Sequence, residues 1–154
     1  LFRNIAQPLV TALSTSSSAA TLPVSMDAAQ NRFRVSSEVS SVVLPLGATV
    51  NMDGTALFEG VAAVFLAQMF GIALDPITIT TIFLVAMMAS IGAPGIPSGS
   101  MAGMQLVLLA VGIPLEAIAL LLMIERPLDT FRTAVNVQGD LVGSLVVNKR
   151  VTLQ

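Results

Sequence analysis

The sequence contains no cysteine and no histidine among its 154 residues. Without thiols there is no disulfide framework and no thiolate metal site. Without imidazole, most nucleophile and base pairs, and most zinc, copper and non-haem iron sites, are excluded as well. Tryptophan and tyrosine are also missing, and with a net charge of −2 and a pI near 4.8 the chain offers neither a basic face nor an aromatic platform for nucleic acid. Charge itself is scarce, at 10% Asp, Glu, Lys and Arg against roughly 25% in an ordinary soluble domain. Between Val39 and Ile124 there are four acids, Asp53, Glu59, Asp75 and Glu116, and no Lys or Arg. What fills the chain is apolar: 55% hydrophobic residues and a mean hydropathy of +0.88, a composition that belongs in a bilayer.

The apolar stretches approach the roughly 20 residues a membrane helix needs, and each is interrupted. From Val39 the run VSSVVLPLGATV is apolar, Asn51-Met52-Asp53-Gly54-Thr55 breaks it, and ALFEGVAAVFLAQMFGIAL resumes it to Leu74. Asn, Asp and Gly form turns better than helices, so 38–74 is predicted as a transmembrane helix broken at mid-depth. After Asp75-Pro76, ITITTIFLVAMMAS is too short to span and runs into Ile91-Gly92-Ala93-Pro94-Gly95-Ile96-Pro97-Ser98-Gly99-Ser100, which cannot stay helical. MAGMQLVLLAVGI follows, so 76–112 reads as a re-entrant hairpin of two half-helices. Residues 1–34 repeat the idea around the polar tip Ser14 to Thr21. A last, amphipathic transmembrane helix is predicted over 114–148, with Pro127 kinking it and Lys149 and Arg150 marking a cytoplasmic exit. The fold class expected is an all-α membrane protein. The opening residues LFRNIAQPLVTALSTSSS have no signal-peptide pattern and read as mid-protein sequence, so the chain is expected to be a piece of a longer protein.

The most informative residues are Asp129, Arg132, Thr133, Asn136 and Asp140, at i, i+3, i+4, i+7 and i+11. At about 100° per residue they fall in one polar stripe on an otherwise apolar helix. Ionisable groups at membrane depth are disfavoured by roughly 2.5 to 3.5 kcal/mol each even on insertion scales, so the stripe needs partners. Arg132 offers a planar fork to a carboxylate, Asp129 suits an ammonium group and Asp140 a bare cation. The bland alternative is an Asp129–Arg132 pair that merely makes the helix tolerable.

Asn51 to Thr55 frees carbonyls beside a carboxylate and an amide oxygen, the donors a hard cation takes; alternatively it is an ordinary turn. The tips present N–H groups and hydroxyls. Ser16, Ser17 and Ser18 can cradle a carboxylate from one side, with Gly95, Ile96 and Ser98 closing from the other, although SSS and GxPxG strings are unspecific in themselves. An enzyme is disfavoured: GIPSGSM faintly resembles the serine loop of fumarase-type lyases but lacks the lysine and asparagine that should follow, and general acids and bases are few. A purely structural membrane fragment, with polar residues as glue, remains a competing reading.

Four strings in order, SSSAATLP (16–23), LPLGATVNMDGT (44–55), ASIGAPGIP (89–97) and DTFRTAVNVQGD (129–140), resemble the dicarboxylate/amino acid:cation symporters, which include the glutamate transporters. The resemblance implies an inverted-repeat fold, sodium-coupled symport of an acidic amino acid or C4-dicarboxylate, and an elevator-type alternating-access mechanism. Proton coupling or neutral substrates on the same fold are the alternative. It implies that substrate is held by Ser17, Ser18, Thr55, Gly95, Ile96, Asp129, Arg132, Thr133 and Asn136. Arg132 would take the side-chain carboxylate and Asp129 the amino group. It implies sodium at Gly47, Asn51, Asn136 and Asp140, at backbone oxygens of Thr49, Ser90, Ile91 and Ala93, and at Asn51 with Asp53. Sodium ions would be co-transported and no organic cofactor is implied. Neutral amino acid exchangers of the family lack the arginine at the position of Arg132. Acidic amino acid members often hold a second arginine where this chain has Ser16 or Thr130. The resemblance also implies a multi-pass plasma-membrane protein, a homotrimer at full length, and N-terminal scaffold helices outside this chain.

Overall fold

The computed structural model describes Phe2 to Thr152; Leu1, at the start of the expected first hairpin, and Leu153 and Gln154 lie outside the described residues. Every regular element among the described residues is a helix, with no strand among them. Helix α1 (Phe2–Thr15) and α2 (Ser18–Asp27) form a hairpin, and a π-helical turn (Ala28–Arg32) extends α2. Then come α3 (Ser37–Val50), α4 (Asp53–Met69), a second hairpin of α5 (Pro76–Ile91) and α6 (Ser100–Ala110), a short 3-10 turn (Leu115–Ala117), and α7 (Ile118–Val151). Pro127 lies inside α7, which continues through it.

Local chemistry explains several boundaries that differ from expectation. The break between α3 and α4 is only Asn51-Met52, because Asp53 opens α4 as an acidic first-turn residue, favoured at the positive end of a helix. Helix α4 ends at Met69 and not at Leu74. Gly71 takes a left-handed conformation (φ +68°) and the Ile72 N–H closes back on the Ala67 carbonyl at 2.9 Å, a Schellman-type stop. Gly112 (φ +75°) ends α6 in the same way, with the Ile113 N–H on the Leu108 carbonyl at 2.9 Å. The first tip is narrower than the polar run around it, since Ser14 and Thr15 complete α1 and only Ser16-Ser17 turn the chain.

Asp75 caps α5: its carboxylate accepts the Thr78 N–H at 2.7 Å, with Pro76 in the first helical turn. That hydrogen bond holds the Asp75 carboxyl below its ordinary value. The contribution of the cap is therefore present above the unfolded-state value and is lost as pH falls through the lowered folded one. Asp75→Ala should lower thermal stability at neutral pH, while Asp75→Asn, which still caps, should stay close to the parent; equal losses in the two variants would show that the cap contributes nothing.

The apolar core divides into two clusters. One joins α4, α5, α6 and the first half of α7 through Ala63, Leu66, Ile82, Met104, Leu108 and Leu121. The other joins α1, the π-helical turn, α3 and the second half of α7 through Ile5, Ala12, Ala29, Leu44, Val137 and Leu141. Large apolar side chains also cover the outside: Ile77, Met88 and Met123 are each more than 70% exposed. An exterior of this kind requires lipid or further protein. The stretch Ser37–Met69, 33 residues whose most apolar 18-residue window has mean hydropathy 1.3, is the one segment of the described residues long and apolar enough to cross a membrane. Helices α5 and α6 are apolar but shorter.

The bonds between Asn4 and the Arg32 carbonyl (3.2 Å) and between the Ser36 N–H and Asn148 (2.9 Å) gather the start of α1, the start of α3 and the end of α7 at one end. Five exposed bases, Arg3, Arg32, Arg34, Lys149 and Arg150, lie there, with the acids Asp27 and Glu38.

Candidate functional site

The two tips and the α3–α4 break converge on the middle of α7, between the two apolar clusters. The tips touch directly: the Gly95 carbonyl accepts the Ser17 hydroxyl at 2.7 Å and the Ala19 N–H at 3.1 Å. The Ser17 hydroxyl oxygen also caps α2 by accepting the Ala20 N–H at 3.1 Å. Gly95 has room for this because it has no side chain, since a Cβ there would stand 2.8 Å from the Ala48 carbonyl oxygen.

The stripe on α7 is buried as a unit. Asp129, Arg132, Thr133, Asn136 and Asp140 are all within the interior. With Ser16, Ser18, Met52, Thr55, Gly95 and Ile96 the stripe from Asp129 to Asn136 encloses a cavity of about 10 Å³, room for about one water. Ile96 is nonetheless mostly exposed. Asn136 is fully engaged: its carbonyl oxygen accepts the Gly54 N–H (2.8 Å) and its amide donates to Thr55 Oγ1 (3.1 Å) and lies 3.2 Å from Met52 Sδ. The N–H groups of Ser18 and Ser100, at the first turns of α2 and α6, meet no acceptor among the described residues. Both residues border the cavity, so two helix N-termini point partial positive charge into it.

Arg132 does pair within its own helix, as the bland reading of the sequence had it, but it does more. Its Nη2 donates to Asp129 Oδ1 and, at 3.0 Å, to Glu125 Oε1, while its guanidinium lies 4.4 Å from the Phe58 ring centroid. Nη1 is buried without a partner, as are both carboxylate oxygens of Glu59 and the Ser100 hydroxyl. Glu125, Glu59, Met52, Phe58 and Ser100 are site residues that the sequence reading does not single out. Glu125 lies one turn before Asp129 on the same stripe, and Glu59 one turn after Thr55, so helical spacing carried the signal for both.

The α3–α4 break supplies oxygen. No donor among the described residues reaches the carbonyls of Ala48, Thr49, Val50 or Asn51; the last closure on α3 is the Asn51 N–H to the Gly47 carbonyl, 2.8 Å. Asp140 faces this end, accepting the Asn51 amide at 3.0 Å. Gly47 lets it come so close, since any Cβ there would overlap the Asp140 carboxylate. Such a set of carbonyls, amide oxygen and carboxylate has the chemistry of a hard-cation site. Gly47, Asn51 and Asp140 are thus brought together, and Asn136 lies about one turn earlier on α7. Asp53 is exposed at the start of α4, with its carboxylate beside Gly139, next to Asp140 on α7. The hydroxyls of Thr49 and Ser90 fold back on their own helices, to the Leu46 carbonyl (3.0 Å) and the Met87 carbonyl (2.9 Å). The Ser90 carbonyl accepts the Ala93 N–H at 3.1 Å; Ser90 and Ala93 are buried, whereas the side chains of Thr49 and Ile91 are exposed.

The family model of the sodium:dicarboxylate symporters matches residues 1–150. Excitatory amino acid transporter 2 of Mus musculus is 50% identical over 146 residues, 95% of this chain and 26% of that protein. Excitatory amino acid transporter 3 of Bos taurus is 50% identical over 145 residues, 94% of this chain and 28% of its own length. An excitatory amino acid transporter of Caenorhabditis elegans is 45% identical over 145 residues, 94% of this chain and 29% of that protein. The chain spans about a quarter of the length of the relatives it matches.

Proposed function

The chain belongs to the sodium:dicarboxylate symporter family, whose members are membrane transporters and not enzymes, and from that premise we propose that it is the substrate-binding part of a sodium-coupled symporter for an acidic amino acid or C4-dicarboxylate. The observation that carries the proposal is Arg132, a guanidinium sealed from water with Nη1 unpartnered, bordering a polar cavity into which two helix N-termini point. A buried donor left without an acceptor is disfavoured by about 1 to 3 kcal/mol, more for a charged one, and a substrate carboxylate satisfies it. In this reading Arg132 takes the side-chain carboxylate, and Asp129 with Thr133 and Asn136 takes the amino group or its replacement. Thr55, Ser17, Ser18, Gly95 and Ile96 close around the second carboxylate.

Charge balance supports cation coupling. Four buried carboxylates, Glu59, Glu125, Asp129 and Asp140, face one buried base, Arg132. A buried carboxylate is tolerated either by taking up a proton or by gaining a cation, and co-transported cations would supply the positive charge for those that stay ionised. The orphan carbonyls of α3 with Asp140, Asn51, Gly47 and Asn136 form one proposed sodium site. The backbone of Thr49, Ser90, Ile91 and Ala93 forms a second, once the tip and α3 draw together, and Asn51 with Asp53 contributes to a third.

The hairpins α1–α2 and α5–α6 are read as re-entrant, each followed by a helix that completes one of the two clusters, in keeping with an inverted repeat. A cavity of about 10 Å³ admits no dicarboxylate, so the 92–99 tip must lift for loading. Alternating access is then proposed to carry the whole unit across the bilayer in elevator fashion, against scaffold helices contributed by the rest of a homotrimeric plasma-membrane protein. The end bearing five bases would face the cytoplasm.

The test is uptake of labelled aspartate, glutamate and succinate by the full-length protein in liposomes, under an inward sodium gradient and separately under an inward proton gradient. Uptake that needs sodium and collapses without it is expected. Transport driven by protons alone would overturn sodium coupling, and no uptake of any of the three would overturn the substrate class.

A further inference from the structure

We propose that Ser98 and Glu125 form a latch that holds the 92–99 tip on α7 while the cavity is empty, with Glu125 acting as a positioning residue for Arg132. The proposal deepens the transport reading above and rests on it for its use, but the latch itself stands on bonds between named atoms.

Ser98 has φ +60°, a conformation that side chains other than glycine rarely adopt, so something must hold it there. Two bonds do. The Ser98 N–H donates to Asp129 Oδ2 at 2.9 Å, and its hydroxyl donates to Glu125 Oε2 at 3.0 Å. Each of those carboxylates places its other oxygen on Arg132 Nη2. Two acids therefore bridge the same loop residue and the same guanidinium, and the posture of the tip is tied to the posture of the arginine. Glu125 is 2% exposed, so no bulk water competes for its oxygens, and a hydrogen bond to a desolvated carboxylate is among the stronger kinds. A second carboxylate arriving at Arg132 competes with Glu125 and Asp129 for one guanidinium. Loading is thereby transmitted to the loop that must close over the load. The hydroxyl arm is the part of this arrangement that a side chain adds; the amide arm would remain whatever residue stood at 98.

The test uses the full-length protein with all cysteines replaced and one introduced by Ser100→Cys. Ser100 is buried beneath the tip and its hydroxyl has no partner, so the thiol breaks no bond and reacts with a methanethiosulfonate reagent only when the tip lifts. In substrate-free protein, Ser98→Ala should speed modification about tenfold, the shift expected for losing one hydrogen bond to a carboxylate. Ser98→Gly, which relieves the left-handed backbone, should speed it to a similar degree. Glu125→Met should also speed it, and Ser98→Ala added to Glu125→Met should change nothing further. An unchanged rate in Ser98→Ala would overturn the latch. So would an effect confined to Ser98→Gly, which would assign it to backbone freedom, or a second full increment in the double variant. Labelling is read on the empty protein, so a failure of uptake would sink the transport reading while leaving the latch decided.

Discussion

Replacing Arg132 by methionine should abolish uptake of aspartate, glutamate and succinate by the full-length protein, with a loss of at least 100-fold, and should destabilise the fold by about 3 to 5 kcal/mol. Both effects follow from what surrounds the guanidinium. Its removal strands Glu125 Oε1 and Asp129 Oδ1 in a sealed interior, each without the cation that justified its burial. Adding Glu125→Met to Arg132→Met should recover part of the stability, because one stranded carboxylate goes with it, and should recover none of the uptake, because the fork for the substrate carboxylate stays absent. Thermal unfolding in detergent and liposome uptake on the parent and these two variants separate the two roles. If Arg132→Met kept uptake within tenfold of the parent, the guanidinium would be a structural counterion only.

Gly54→Ala should lower Tm by about 5 to 12 °C, near the top of the range for a single methyl group in a domain of this size. A Cβ at Gly54 would stand 2.6 Å from the Arg132 carbonyl oxygen and 3.1 Å from Asn136 Oδ1. The first of these is backbone in the middle of α7 and cannot rotate aside. Helices α4 and α7 must part, and the Gly54 N–H to Asn136 bond at 2.8 Å goes with them. Gly60 on the same helix has nothing within 4 Å of its would-be Cβ, so Gly60→Ala should leave Tm unchanged or raise it slightly by improving helix propensity. Equal responses from the two alanines would rule out close approach as the reason for glycine at 54.

The α7 stripe is legible because a helix places every third or fourth residue on one side, and five polar residues at that spacing stand out in apolar sequence. Glu125 obeys the same period, yet the non-polar run Pro127-Leu128 separates it from Asp129 by eye. The α3–α4 break is legible in Asn51, but Asp53, Gly54 and Thr55 belong to α4. Their turn propensity yields to the first-turn place of Asp53 and to the backbone of α7 pressed on Gly54. The early end of α4 was readable from Gly71, whose signal the apolar Ile72 to Leu74 masks. No local rule reports that Ser17 meets Gly95, 78 residues away, or that Ser98 meets Glu125; those pairs exist only once the chain has folded.

The division of the apolar interior into two clusters has a mechanical meaning. Along the seam between them the contacts are polar, and α7 is the helix both clusters share. A polar seam is compliant, whereas the ions and acidic molecule of the proposed transport would act as mortar between two bricks. On the transport proposed above, the cargo would supply part of the rigidity that lets the unit travel as one body, and the unit without cargo would flex along the same line at which it opens.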